Sequence, residues 1–180
     1  MIKSKADLRE NLRAHKEALG IQCKWFPILG KEIWKFQVSL RNYEYALNCR
    51  RGGVHEKFWK FINHHYALKL GFSIPPNTFG KGLNIHHYGG IIVNEFARIG
   101  ENCNLQQCVN IGQNYNSENV LTIGNNVYIG PGAKIFGKIS IADGCAIGAG
   151  AVVCKSFLKP DMIIVGNPAH EAGKRKPGLK

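Results

Sequence analysis

The residues of this chain best suited to chemistry lie in one short stretch, Ile85-His86-His87-Tyr88-Gly89-Gly90. An imidazole has an unperturbed pKa near 6.5, so it is the side chain matched to taking a proton from a hydroxyl at neutral pH. Two adjacent glycines let another backbone or a ligand approach closely. A structural or catalytic zinc site needs a larger ligand set. The repeat region described below offers only this adjacent pair, whose neighbours in extended chain point opposite ways, and no Cys-x-x-Cys or Cys/His metal spacing occurs. The expectation is proton transfer without a metal.

What must position these residues is visible in a beat of six. Aliphatic residues recur at Ile99, Leu105, Ile111, Ile123, Ile129, Ile135, Ile141, Ile147 and Val153, and Ser117 alone breaks the series. Glycine or another small residue follows many of them (Gly100, Gly112, Gly124, Gly130, Ala142, Gly148). A compact apolar residue sits four places on (Ala97, Cys103, Val109, Val127, Ala133, Cys145, Ala151). A helix would space apolar residues by three and four and would not tolerate such glycine density, and a half-buried strand would alternate by two. Six fits a chain that turns a corner after each short side and stacks its aliphatics inside a parallel β-helix. A first coil is expected through Ile74, Phe79, Ile85 and Ile91. A two-residue slip between Ile91 and Val93 follows the histidines, and 112–122 reads as an extruded loop that preserves the register.

The chain ahead of the repeat is helical in pattern. Ser4 and Asp7 resemble a capping box opening a helix to about Gly20, and Pro27 and Gly30 punctuate. Ile33, Phe36, Leu40, Tyr43 and Leu47 mark a helix from Lys31 to Arg50. Phe58, Trp59, Phe61, Ile62 and Tyr66 mark another from His55 to Leu70, expected to pack on the β-helix end or a neighbouring subunit, with His55, His64 and His65 as surface or packing residues. Gly71 and the Pro75-Pro76 pair then hand over to extended chain. The division expected is 1–72 helical, 73–169 β-helix and 170–180 a basic tail.

The chain has 180 residues and a formal net charge of +12. Residues 1–80 carry 14 Lys/Arg against 6 Asp/Glu, 81–173 are balanced at 6 against 6, and 174–180 carry 4 cations and no acid. Two positive ends around a neutral repeat are not the continuous stripe of a nucleic-acid binder. They suit polyanions such as coenzyme phosphates, and contact with an anionic membrane surface stays open. No apolar run approaches the roughly 18 to 20 residues of a membrane span, and the N-terminus carries no apolar signal region, so a cytoplasmic protein is expected. Cys103 and Cys145 fall in the compact column and read as reduced core thiols.

Ile123-Gly-Asn-Asn-Val-Tyr-Ile-Gly-Pro-Gly-Ala-Lys-Ile-Phe-Gly resembles the hexapeptide signature of the left-handed parallel β-helix acyltransferases, and most resembles the serine acetyltransferase branch, which includes O-acetyltransferases of capsule and lipopolysaccharide sugars. The resemblance runs over about residues 73–169. It implies a mainly β fold, a left-handed parallel β-helix with an N-terminal α-helical region. It also implies a homotrimer with sites between subunits, and acetyl-CoA as co-substrate. His87 aligns with the family's base; Glu95 or a backbone carbonyl is a candidate to orient it. His86 and Tyr88 become acceptor-binding candidates. Gly112, Pro131, Gly132, Ala149 and Gly150 would face the coenzyme A arm, and Lys155 and Lys174, with Arg175 and Lys176, its phosphates. Gly166-Asn-Pro-Ala matches the family's closing turn.

The chain departs from serine acetyltransferases in three places. Ser73 stands where they have an Asp that holds the base, His86 stands where they have Asp, and residues 113–121 contain no His where they have one. The acceptor expected from this is a sugar hydroxyl in surface polysaccharide biosynthesis. Serine O-acetyltransfer in cysteine biosynthesis is the alternative, and a non-catalytic β-helix scaffold the rival from another class.

Overall fold

A computed structural model describes residues 1–21, 31–112 and 121–176. Among the described residues three helices lead: α1 (Lys5–Ala18), α2 (Glu32–Cys49) and α3 (Val54–Leu70). Ser4 caps α1 by accepting the Asp7 amide at 3.1 Å, while the Asp7 carboxylate accepts at 2.8 Å from the amide of Lys3, one residue before the cap, close to the capping box that the sequence suggested. Gly71, at φ 72°, ends α3 in the left-handed conformation that glycine adopts without strain. Pro27, Gly30 and the loop residues 113–120 lie outside the described residues.

Fourteen short strands follow among the described residues: β1 (Phe72–Ser73), β2 (Asn84–Ile85), β3 (Ile91–Val93), β4 (Arg98–Ile99), β5 (Asn104–Leu105), β6 (Asn110–Gly112), β7 (Thr122–Ile123), β8 (Tyr128–Ile129), β9 (Lys134–Phe136), β10 (Ser140–Ile141), β11 (Ala146–Ile147), β12 (Val152–Val153), β13 (Met162–Val165) and β14 (His170–Lys174). They form three sheets, one per face of a triangular prism. The first holds β1-β3-β6-β9-β12, the second β4-β7-β10, and the third β2-β5-β8-β11-β13-β14. Pairing is parallel except for the closing β13–β14 hairpin.

The six-beat becomes the register. Ile111 pairs with Ile135, Ile123 with Ile141 and Ile129 with Ile147, stacking like on like. Partners on the second sheet are 18 residues apart between β7 and β10 but 24 apart between β4 and β7. The extra six residues fall in the interval that contains 113–120, so the insertion costs no register. Leu105, Ile111, Ile129, Ile135, Ile147 and Val153 are fully buried, as are Cys103 and Cys145. The slip at Ile91–Val93 puts both of these residues inward and leaves Ile92 between them half exposed.

Two expectations change. The chain from His170 to Lys174 is not tail: β14 pairs with β13, and Arg175 donates to the carbonyls of Asn126 at 2.9 Å and Gly144 at 3.1 Å, strapping the end of the prism. The aromatic stripe of α3 divides: Tyr66 packs against the core, whereas Phe58 and Phe61 are exposed within one chain. The other docking residues are Phe36 and Leu40 of α2 and Leu70 at the end of α3.

Beneath that docking lies a buried polar network. Arg41 donates to His15 Nε2 at 2.7 Å, to Glu44 at 2.7 Å, and to the carbonyls of Phe79 at 3.0 Å and Gly80 at 2.6 Å. His15 Nδ1 lies 3.2 Å from the Leu83 carbonyl, and the Asn77 amide donates to Glu44 at 2.8 Å. Because Nε2 accepts from arginine, Nδ1 carries the single ring proton and the ring is neutral. Burial, and then the Arg41 guanidinium, holds this imidazole well below its ordinary 6.5.

A histidine with a depressed folded pKa contributes stability that is complete above its unfolded pKa and is lost as pH falls below it. Melting temperature should therefore drop between pH 7.5 and 5.5, with at most about 1.4 kcal/mol of stability lost per pH unit from this group. His15→Gln keeps a donor and an acceptor without titrating, and should flatten that slope. Equal slopes for the two proteins would show that His15 does not carry it.

Candidate active site

The corner between the third and first sheets recurs at every coil, and the sequence-singled residues fall along it. His86–Gly90 occupy the corner after β2, Gln106–Cys108 that after β5, Gly130–Gly132 that after β8, Gly148–Gly150 that after β11, and Gly166–Pro168 follow β13. The corners are laced together: Cys108 donates its amide to the Gly89 carbonyl at 3.1 Å, Gly132 to Gln107 at 2.9 Å, and Gly150 to Pro131 at 2.9 Å. Each corner needs a left-handed residue. Gly132 meets this at φ 72°, and Cys108 does so with a side chain, at φ 59°.

At the head of this edge, Gly89 donates to the Leu70 carbonyl at 2.9 Å and Ile91 to Gly71 at 3.1 Å. A Cβ on Gly71 would come within 3.2 Å of the Gly90 nitrogen. The close approach allowed by the glycine pair is thus to the end of α3, which fixes the loop that bears the histidines. His86, His87 and Tyr88 are all exposed. His86 Nε2 lies 3.3 Å from the Asn84 amide nitrogen, so this ring nitrogen accepts, and the two imidazole centroids are 6.3 Å apart. Below them, Pro131-Gly132 and Ala149-Gly150 leave the edge free of bulk. The arrangement is an accessible base above an open track on which an extended molecule can lie.

Other expected residues do not join this edge within one chain. Glu95 sits at the next corner, beyond β3, where its carbonyl accepts from Arg98 at 3.0 Å. No hydrogen bond among the described residues links it to His87. Gly112 ends β6 and Lys155 follows β12, both toward that same second corner, and the Lys155 ammonium lies 5.6 Å over the Phe157 ring. Lys174 lies on β14, paired with Met162 near the third corner. The reason is periodicity: residues that share an edge are separated by a whole coil, whereas Lys155 is one side and Lys174 a hairpin away from Gly150.

Sequence reasoning missed a cavity of about 590 Å³ between α3 and the first coil, lined by Tyr43, Lys57, Lys60, Phe61, His64 and Ser73 among others. Its signal was present as Lys57, Lys60 and His64, spaced to share one face of a helix. The cysteines separate cleanly. Cys103 is fully buried, and burial pushes its thiol up to about 12, while Cys108 on the candidate edge is exposed. Among the described cysteines, a disulfide exchange reagent should label Cys49, Cys108 and Cys154 quickly and leave Cys103 and Cys145 unlabelled until unfolding; peptide mapping after brief labelling reads this directly.

Repeat, prism and bulk-free edge define a hexapeptide-repeat protein, and comparisons with known proteins agree. Residues 121–155 match the bacterial transferase hexapeptide (six repeats) family model. The chain is 34% identical over 114 residues to the serine acetyltransferase of Synechococcus elongatus, an alignment covering 62% of this chain and 46% of that protein. It thus spans about half the length of that relative. The fold superposes on soybean serine acetyltransferase complexed with serine at a TM-score of 0.74 and 26% identity, over 93% of this chain and 70% of that one. Serine acetyltransferase from Brucella abortus in complex with coenzyme A shares the fold, with TM-score 0.79 and 24% identity over 96% and 70% of the two chains. The similarity to known proteins is thus to a hexapeptide-repeat transferase model over residues 121–155 and, over a longer stretch, to serine acetyltransferases.

Proposed function

We propose that the protein is an acetyl-CoA-dependent O-acetyltransferase of the serine acetyltransferase type, with His87 as general base. The observation that carries this reading is the exposed imidazole pair at the head of an edge kept open by Pro131-Gly132 and Ala149-Gly150. Its support from outside the chain is the naming of the relatives, one of them solved with coenzyme A.

His87 takes the proton of the acceptor hydroxyl as that oxygen attacks the thioester carbon. It returns the proton to the departing thiolate sulfur when the carbon–sulfur bond breaks. The thioester is already activated, so the protein need supply only deprotonation and placement, and no covalent enzyme intermediate is required. The prism is read as left-handed and the assembly as a trimer, in which a neighbour's second or third corner would bring Gly112, Lys155 and Lys174 against this edge.

Serine is the acceptor best supported, because the relatives carry it in their names. This reverses the order expected from the sequence, where the sugar hydroxyl came first. The sugar remains a second reading for a specific reason: Ser73 in β1 and His86 at the head corner replace the two acids expected of a serine site.

Acetyl-CoA turnover, followed as released thiol, should fall about 10²- to 10⁴-fold in His87→Ala, the usual worth of a positioned base. The acceptor concentration giving half-maximal rate should change little. Turnover with serine would decide for the first acceptor and turnover with sugars alone for the second. Full activity in the variant would remove His87 from the mechanism.

A further inference from the structure

The cavity under α3 has features that the transfer chemistry does not use. At about 590 Å³ it falls within the roughly 300 to 1,000 Å³ usual for small-molecule sites. Phe61, Ala67, Phe72, Ile74, Pro75 and Pro76 make apolar walls, and Ser73 and Tyr43 contribute hydroxyls. Lys57, Lys60 and His64 come from successive turns of α3 along one side. Neither lysine forms an ion pair among the described residues. The nearby acid on this helix, Glu56, is engaged at its start, accepting the Gly52 amide at 2.6 Å. Two lysines and a histidine along one side of this open, largely apolar groove complement an anionic ligand.

The cavity also adjoins the candidate active corner. Its lining residues Phe72 and Ser73 follow directly on Gly71, which packs against Gly89-Gly90, and β1 pairs with β3, so Ser73 lies beside Ile92. From these observations we propose that this cavity is the anion-binding half of the acceptor site, holding a phosphate ester or carboxylate of the acceptor by Lys57 and Lys60 while its hydroxyl reaches His87. The proposal rests on the acetyltransferase reading and adds a substrate class to it: a hydroxyl compound that carries a negative charge.

Calorimetric titration of the full chain with glucose, glucose 1-phosphate, L-serine and coenzyme A tests it, in the wild type and in Lys57→Gln/Lys60→Gln. Both lysines are exposed, and a melting curve verifies that the double variant folds. At least one anionic probe should bind the wild type, more weakly as salt is raised and at least ten-fold more weakly to the double variant, with glucose giving no heat. Binding of the phosphate ester alone assigns the anion as phosphate; binding of serine assigns it as carboxylate. Coenzyme A should bind both proteins equally. Anionic probes that fail to bind, or that bind both proteins alike, overturn the cavity proposal while coenzyme A binding still supports the transferase reading. Loss of coenzyme A binding in the wild type overturns that reading instead.

Discussion

The constraint on which the rest depends is the six-residue period of the prism's sides, with a left-handed residue at each turn of the edge between the third and first sheets. That condition stacks Ile111 on Ile135 and Ile129 on Ile147, and the same condition stacks Gly89, Cys108, Gly132 and Gly150 along an edge. Core and site are two readings of one period. Burial of the inward column, with each isoleucine removed from water on all sides, fixes where every outward residue must lie. A shift of one residue would turn the column outward and scatter the edge.

A prism has ends, and the first end is where this protein departs from simple repetition. The carbonyls of Phe79, Gly80 and Leu83 in the first coil have no preceding coil to take them up, and Arg41, Gln37 and His15 from the helices supply the donors. Removing Arg41 would strand the Phe79 and Gly80 carbonyls, which is costlier than the bond itself is worth, whereas the Leu83 carbonyl has donors in both Gln37 and His15. The helices are therefore part of the β-helix in the energetic sense. They also deliver Leu70 and Gly71 to the histidine loop, so the cap that satisfies the first coil is the same structure that holds the candidate base in place.

The fold was legible because the period is a local property: three columns at six residues over nine positions leave no helix or simple sheet that would bury them. Helix boundaries were likewise close, because Ser4 and Gly71 are chemical stop signs. The polar cap was not legible, since Arg41 and His15 are ordinary residues of amphipathic helices until the first coil is laid against them. His87 and the glycine pairs were singled out by motif, and the corner stacking explains why one edge gathers them. Lys155, Lys174 and Glu95 went astray at the level of the single chain because position in sequence says how far along the prism a residue lies, but its corner depends on counting sides from an origin that the hairpin and the insertion displace. The exposure of Phe58 and Phe61 has the same origin: a helix pattern tells that a face is apolar, not what will cover it.

The departures from the serine acetyltransferase pattern are not spread evenly. Ser73 and His86 both lie in the first coil, whereas the later corners keep their Pro-Gly and Ala-Gly pairs. In the proposed reading those later corners serve the acetyl donor and the early ones the acceptor, with His87 between them. A repeat fold permits such a division, because each coil contacts only its neighbours and can change its outward residues without disturbing the register. The donor half can then stay constant while the acceptor half changes its charge. Replacing two carboxylates with a hydroxyl and an imidazole, beside a helix presenting Lys57 and Lys60, moves that half toward positive, and it is this shift in sign, more than any single lost residue, that argues for an acceptor bearing a negative charge.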